Sequence, residues 1–181
     1  GLNAALVLGR VRRRVLVCDT HKPRNEKAHA AHGFLTRDGT PPAEILRIAR
    51  EQLQPYNTVE LKDAEIVKVR PIEGGFEAVA QDGTIYQARR ILLATGLRDE
   101  LPSIPGLAEY WANGVYHCPY CHGWEVRDQK LAIISNAEAA FHLGMLLRGL
   151  SDNVTAVVQG EEPLTESQKQ TLEQRGVRLY H

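Results

Sequence analysis

Short apolar runs alternate with helix-length segments over the C-terminal part of the chain, and this alternation constrains the fold more than any other feature. Residues 130–134, 154–158 and 177–180 read as strands, with predicted helices at 137–150 and 165–175 between them. Strands joined through a helix pair in parallel, because the crossover returns the chain to the same end of the sheet. The beginning of the chain follows the same grammar. Gly1 to Gly9 is a small, helix-favouring run, and residues 14–19 form a short apolar strand that ends in Asp19. In a dinucleotide-binding βαβ unit, the last Gly of a Gly-x-Gly-x-x-Gly loop opens the helix, and an acidic residue about 20 positions on takes the ribose hydroxyls. Gly1 fits that glycine and Asp19 that carboxylate, so the preceding strand and most of the loop are expected upstream of Gly1.

Between these segments the pattern changes. Asp38-Gly39-Thr40-Pro41-Pro42 is a turn that feeds a predicted helix over 41–54 with Thr40 as N-cap. Residues 58–94 then read as short strands. Ile66, Val69, Phe76 and Val79 supply apolar positions, Asp82-Gly83 a hairpin turn, and 90–94 a last apolar strand running into Ala94-Thr95-Gly96. A Gly after a strand lets the backbone approach a ligand closely, or simply makes a turn. Pro102, Pro105 and Gly106 punctuate the connection that follows.

The chemistry is concentrated in Cys118-Pro119-Tyr120-Cys121-His122-Gly123-Trp124-Glu125. Two thiols at this spacing can close as a disulfide and carry two electrons, one thiolate attacking a substrate disulfide and the other resolving the mixed intermediate. Pro119 suits the first position of a helix, which puts Cys118 at a helix N-terminus whose partial positive charge favours a thiolate. Other uses compete. The pair could be packing alone, although two of only three cysteines clustered this closely argue for redox or metal chemistry. Zinc needs four convergent ligands, and His117, Cys118, Cys121 and His122 are too contiguous to surround one tetrahedral ion. Cys118 to His122 also matches the Cys-x-x-Cys-His of covalent haem attachment. A haem-bearing electron carrier would need an export signal and a second axial ligand, and Met145, the single methionine, lies within a predicted helix. Cys18, in the apolar run Val15-Leu16-Val17-Cys18, reads as strand packing.

Composition narrows the partners. The 181 residues carry 22 basic and 22 acidic side chains, so no net charge favours nucleic acid or an anionic membrane. Arg10, Arg12, Arg13 and Arg14 are the one dense basic cluster and read as a solvated helix end and turn. No apolar run reaches the length of a membrane span, and no signal peptide opens the sequence. Three cysteines, two of them at redox spacing, suggest a reducing cytoplasm.

Taken together, residues 1–10, Asp19, Pro23-Arg24-Asn25, the run from His32 to Gly39, Ala94-Thr95-Gly96 and residues 118–125 occur in the order and spacing of the low-molecular-weight thioredoxin reductases. The chain resembles that family over essentially its whole length, most of all the branch with flavin-dependent dithiol oxidases. The resemblance implies a Rossmann-like FAD-binding domain over 1–112, lacking its first strand and C-terminal half. It also implies an inserted, truncated NAD(P)-binding-like domain over 113–181 that carries the cysteines, a homodimer, and a thioredoxin-like protein or small-molecule dithiol as partner. The chain is therefore expected to be a fragment. By position, Gly1 would lie near the FAD pyrophosphate, Asp19 would bind the adenosine ribose, and Arg24 and Asn25 would line the cofactor. Gly33, Asp38 and Gly39 match the segment running toward the flavin, Val67 the backbone beside adenine, and Thr95 and Gly96 the strand-end loop. Cys121 would face the isoalloxazine and Cys118 would attack the partner. His122 stands where these reductases carry an acid, either as a proton shuttle or as a structural histidine.

One site departs from the family. A nicotinamide fingerprint should read Gly-x-Gly-x-x-Ala, whereas this chain reads Ser135-Asn136-Ala137-Glu138-Ala139-Ala140. Each added Cβ hinders the pyrophosphate, and Glu138 puts a negative charge where phosphate should be attracted. Gln159-Gly160-Glu161-Glu162 offers no arginine for a 2′-phosphate. The degenerate fingerprint argues against NADPH, unless Ser135 and Ala137 are small enough to be tolerated. The expectation is an FAD-dependent thiol–disulfide oxidoreductase, with a dithiol oxidase using oxygen as its variant and a non-catalytic nucleotide-binding remnant as the remaining alternative.

Overall fold

Small side chains let the opening helix lie close to its sheet. In the computed structural model, which describes residues 1–180, α1 (Leu2–Arg10) packs against β1 (Val15–Asp19) and β2 (Val59–Asp63). A Cβ built at Gly9 would fall 2.8 Å from Val59 Cγ2 and 3.1 Å from Tyr56 Cβ, so any larger residue there would push the helix off the strand. β1 and β2 pair in parallel from Val15 opposite Val59 to Asp19 opposite Asp63, which leaves both carboxylates at the same strand ends.

The helix expected over 41–54 is shorter at both ends. α2 runs Pro42–Glu51 with Pro41, not Thr40, at the N-cap, and no side chain caps it. The physical reason is the proline pair, since a residue preceding proline is driven out of the helical region. Thr40 instead accepts from the Ala31 N–H at 2.9 Å in an isolated bridge. β3 (Ile66–Ile72), β4 (Gly75–Ala80) and β5 (Ile85–Ala88) form an antiparallel meander. Its second turn is the expected Asp82-Gly83 corner, where Asp82 Oδ1 accepts from the Thr84 N–H at 2.9 Å. The strand expected over 90–94 does not form. No described strand pairs with it, and β structure is held by inter-strand hydrogen bonds, so Leu92 and Leu93 lie exposed in irregular chain.

The second unit is the parallel α/β layer that the alternation predicts. β6 (Leu131–Ser135), β7 (Val154–Val158) and β8 (Val177–Tyr180) lie side by side in that order, all parallel, with α4 (Ala137–Leu147) and α5 (Glu166–Gln174) as the crossovers. Ile133, Ala140, Val154, Ala156, Leu172 and Val177 form its buried core. Gly144 lets α4 approach α5, since a Cβ there would fall 2.6 Å from Leu172 Cδ2. α4 stops before the expected Leu150. The Arg148 guanidinium turns to donate to the Ser151 and Arg175 carbonyls, both at 2.6 Å, and Gly149 follows. α5 begins with a capping box, Thr165 and Gln168 each satisfying a backbone N–H of the other.

By contact, the chain divides into Gly1–Ala31 with Gly39–Glu109, and His32–Asp38 with the residues from Tyr110 onward. The segment His32–Asp38, which the sequence reading places inside the first domain, therefore belongs with the second unit, where His32 meets Glu125. Among the described residues no helix is long and apolar enough to cross a membrane.

Candidate functional site

Proline chemistry shapes the cysteine turn. Pro119 occupies the first position of a single helical turn, α3 (Pro119–His122), and Cys118 is its N-cap in extended conformation, φ −133° and ψ 110°. The change from extended to helical backbone across one residue brings the two Cα atoms to 5.3 Å, within disulfide range, and Cys118 and Cys121 are joined. Gly123 closes the turn. Its N–H donates to the Pro119 carbonyl at 2.8 Å, and a Cβ there would collide with that carbonyl and with the Leu150 side chain. Both cysteines are half-buried. A four-residue turn aligns few peptide dipoles, so the helix-terminus argument for a lowered thiol pKa has little to act on here.

His122 is half-buried immediately after the disulfide. Its ring lies 4.6 Å from that of Tyr116 and 6.4 Å from that of His32. Burial is the main force holding its pKa below the ordinary imidazole range. The Glu125 carboxylate opposes this, and the nearby His32 and His117 add to the lowering. The lowering favours the neutral imidazole, whose free nitrogen can take a proton.

His32 and Glu125 belong to the matched motifs, but the sequence reading gives them no part. In the fold, His32 Nδ1 lies 3.5 Å from Asp38 Oδ1 and His32 Nε2 3.5 Å from Glu125 Oε1. Asp38 also accepts from the Gly33 N–H at 2.8 Å, which closes the loop. His32, Gly33, Asp38, Tyr120, Trp124 and Glu125 line an open cleft of about 300 Å³. No local periodicity links the loop to the cysteine turn.

The remaining expected site residues lie in the first unit. Gly1 is the N-cap of α1, with no side-chain cap and no acidic residue in the first turn, and a Cβ there would sit 3.7 Å from Ala94 Cβ. Asp19, at the end of β1, accepts from the His21 N–H at 3.1 Å and from Arg50 Nη2 at 2.7 Å. Burial raises its pKa, but these two donors outweigh that and hold the carboxyl below its usual range. Asp19 to Lys22 and Asp63 to Glu65 line a shallow cleft of about 230 Å³. Arg24 donates from Nε to both oxygens of Asp99 at 2.9 and 3.1 Å, and Asn25 sits exposed in the adjoining turn. Gly39, Val67, Thr95 and Gly96 are exposed, Val67 on β3 and the last two in the irregular chain after β5, where Gly96 has φ 68°. Gly33 and Asp38 are in the second unit. Cys18 is half-buried in β1, its thiol pushed up first by burial and then by Glu60.

The degenerate fingerprint lies where β6 meets α4. Asn136 caps its own helix, its side chain accepting from the Ala139 N–H at 2.9 Å, and Glu138 occupies the first turn. An amide that would greet a pyrophosphate is thereby taken, and a negative charge stands beside it.

Residues 1–181 match the pyridine nucleotide-disulphide oxidoreductase family from end to end. The chain belongs to that family. The thioredoxin reductase aclD of Aspergillus oryzae is 37% identical over 182 residues, 96% of this chain and 58% of its own length. The thioredoxin reductase tcpT of Claviceps purpurea is 31% identical over 172 residues, 91% of this chain and 54% of its own. Among solved structures, an oxidoreductase from Agrobacterium tumefaciens superposes with a TM-score of 0.94 at 37% identity, covering 100% of this chain and 61% of that one. The chain thus spans little more than half the length of these relatives. The low-molecular-weight, thioredoxin-reductase-like branch and the Rossmann-like α/β fold both stand, and membership in this family of oxidoreductases implies FAD binding.

Proposed function

We propose that this chain is part of an FAD-dependent thiol–disulfide oxidoreductase that oxidises a dithiol through Cys118 and Cys121. The observation that carries the reading is the closed Cys118–Cys121 disulfide, half-buried and followed at once by a half-buried histidine. A substrate thiolate attacks Cys118 Sγ, the Cys118–Cys121 bond breaks, and Cys121 leaves as a thiolate. His122 takes the proton of the second substrate thiol. That thiolate attacks its neighbouring sulfur, the substrate departs as a disulfide, and Cys118 is released as a thiolate, so the pair holds two electrons. FAD, when bound, supplies the two-electron acceptor.

The first unit fits FAD. α1 presents first-turn amides that no side chain caps, at Gly1, and Asp19 keeps a second lone pair on each oxygen for ribose hydroxyls. Val67, Arg24 and Asn25 complete the adenosine side of the reading, with Gly39, Thr95 and Gly96 toward the flavin. The second unit does not fit NADPH, because the N-terminus of α4 is capped by Asn136 and carries Glu138. The partner is a small-molecule dithiol or a thioredoxin-like protein, in a cytoplasmic homodimer.

The test is anaerobic addition of dithiothreitol, NADPH or NADH to the full-length, FAD-loaded protein while flavin absorbance is followed. Dithiol should bleach the flavin, and Cys118→Ser should abolish that bleaching. Bleaching by low NADPH would replace the oxidase reading with a reductase, and bleaching by dithiol in Cys118→Ser would remove the cysteine pair from the path.

A further inference from the structure

Glycine adopts a left-handed backbone most readily, yet the second position beyond β1 is a histidine, His21, at φ 59°. The turn itself serves the fold, because it brings the His21 N–H to Asp19 Oδ1 at 3.1 Å. A glycine would make the same bond without the strain that a Cβ adds at this φ. The imidazole is therefore an addition that the turn does not require. Its Nε2 is hydrogen-bonded to Asp63 Oδ1, on the residue that β2 sets opposite Asp19. That pairing does not offset the strain, since the Asp63 side chain is 83% exposed and an ion pair in water contributes little. The stability of the free chain thus leaves the imidazole unexplained, and its role lies in what the cleft beside it holds.

His21, Asp19 and Asp63 line the same cleft of about 230 Å³, with Glu65 and one lysine, Lys22. A carboxylate only accepts, so in the neutral ring Nε2 carries the proton and Nδ1 is left as an acceptor. Each oxygen of Asp19 already accepts one bond, from the His21 N–H or from Arg50, and keeps a lone pair. Acceptors dominate this cleft, and they suit a neutral diol, which donates two protons. We propose that His21 binds the ribose diol at the adenosine end of FAD, its Nδ1 accepting from one hydroxyl while Asp63 holds the ring at the cleft. This inference rests on the reading of Asp19 as the ribose carboxylate given above.

The experiment uses the full-length protein stripped of FAD, as wild type, Asp19→Asn, His21→Gly, Asp63→Ala and the His21→Gly/Asp63→Ala double variant. Affinity for FAD is read from quenching of flavin fluorescence, affinity for ADP and 2′,3′-dideoxy-ADP by calorimetry, and ligand-free stability from urea midpoints. His21→Gly keeps the turn and removes only the imidazole. It should weaken FAD and ADP by about threefold to tenfold, the worth of one hydrogen bond. Binding of 2′,3′-dideoxy-ADP should not change, because that ligand has no hydroxyl for Nδ1 to accept from. The urea midpoint should stay nearly level, relief of strain offsetting the freer unfolded chain. Asp63→Ala should weaken FAD by about twofold and add nothing in the His21→Gly background, since it acts through the ring. Wild-type affinity for FAD and ADP in His21→Gly, with Asp19→Asn weakened, overturns this inference alone. So does an equal loss for ADP and its dideoxy analogue, or a fall in urea midpoint that parallels the loss of affinity, because either makes His21 a residue of the fold only. Unaltered FAD affinity in Asp19→Asn overturns the reading of the ribose site and this inference with it.

Discussion

The two units are built from the same grammar of parallel strands and crossover helices, yet they finish differently. The second gathers Ile133, Val154, Leu172 and Val177 into one continuous core beneath three parallel strands. The first has only β1 and β2 in parallel, and its large apolar residues Leu16, Leu61, Leu92 and Leu93 stay exposed. The N-termini of α1 and α4 differ as well. α1 starts at a glycine, with no side-chain cap and no acid, whereas α4 starts at its own Asn136 cap with Glu138 in the first turn. The unit with the complete core has a capped helix end, and the unit with the open face has kept its own end bare. If the bare end of α1 receives FAD as proposed, core completeness and cofactor binding are separate properties of one architecture, and each can be disturbed without the other.

The largest effect belongs to the core. Leu172 is fully buried, and Leu172→Ala should cost about 2–5 kcal/mol in urea denaturation. Leu61, 38% exposed, should cost less than about 1 kcal/mol on the same change. Equal costs would mean that the face of the first unit is covered in the working protein, and the contrast in cores would disappear.

Next comes the exchange of helix ends. Asn136→Gly with Glu138→Gln frees an amide and removes a charge, and should strengthen NADPH binding by about tenfold in calorimetry. Gly1→Asp makes the reciprocal change and should weaken FAD by at least about tenfold. If the first pair leaves NADPH affinity unaltered, cap and charge are not what closes the second site. If Gly1→Asp leaves FAD bound as tightly as before, α1 is not the pyrophosphate end.

What the sequence revealed follows the range of the interactions involved. Elements set by local chemistry were legible: the alternation that yields β7 and β8 at their expected bounds, the Asp82-Gly83 corner, Pro119 opening the cysteine turn. The misses came from competing or absent partners. Thr40 lost its capping position because Pro41 and Pro42 force extended backbone before the helix, and 90–94 lacks a strand to pair with. The cysteine pair and His122 could be read because they are contiguous. His32 and Glu125 could not, since their approach depends on a loop leaving the first unit's chain to pack in the second, and no periodicity encodes that.

The smallest effect separates the units by pH. In the first, Arg50 is tied to a half-buried titrating partner, Asp19 Oδ2 at 2.7 Å, whereas in the second Arg148 donates mainly to the Ser151 and Arg175 carbonyls, which do not titrate, and the carboxylate it also reaches, Asp152 Oδ1 at 2.9 Å, is fully exposed and screened by water. The folded pKa of Asp19 is lowered, the Arg50 and His21 donors outweighing burial. Its stabilisation is therefore fully present above the unfolded carboxyl value, about 3.9, and is lost as pH falls through the lower folded value. The pair is 27% and 39% exposed at its two side chains, so solvent screening keeps the contribution under about 1 kcal/mol. Arg50→Met should thus destabilise the protein at pH 7 by up to that amount and by almost nothing near pH 2, whereas the cost of Arg148→Met should stay nearly level over the same range. Urea midpoints at several pH values decide it. A level cost for Arg50→Met would mean that the arginine works through its hydrocarbon stem rather than its charge, and the bond to Asp19 would then not be what holds that carboxylate at the strand end.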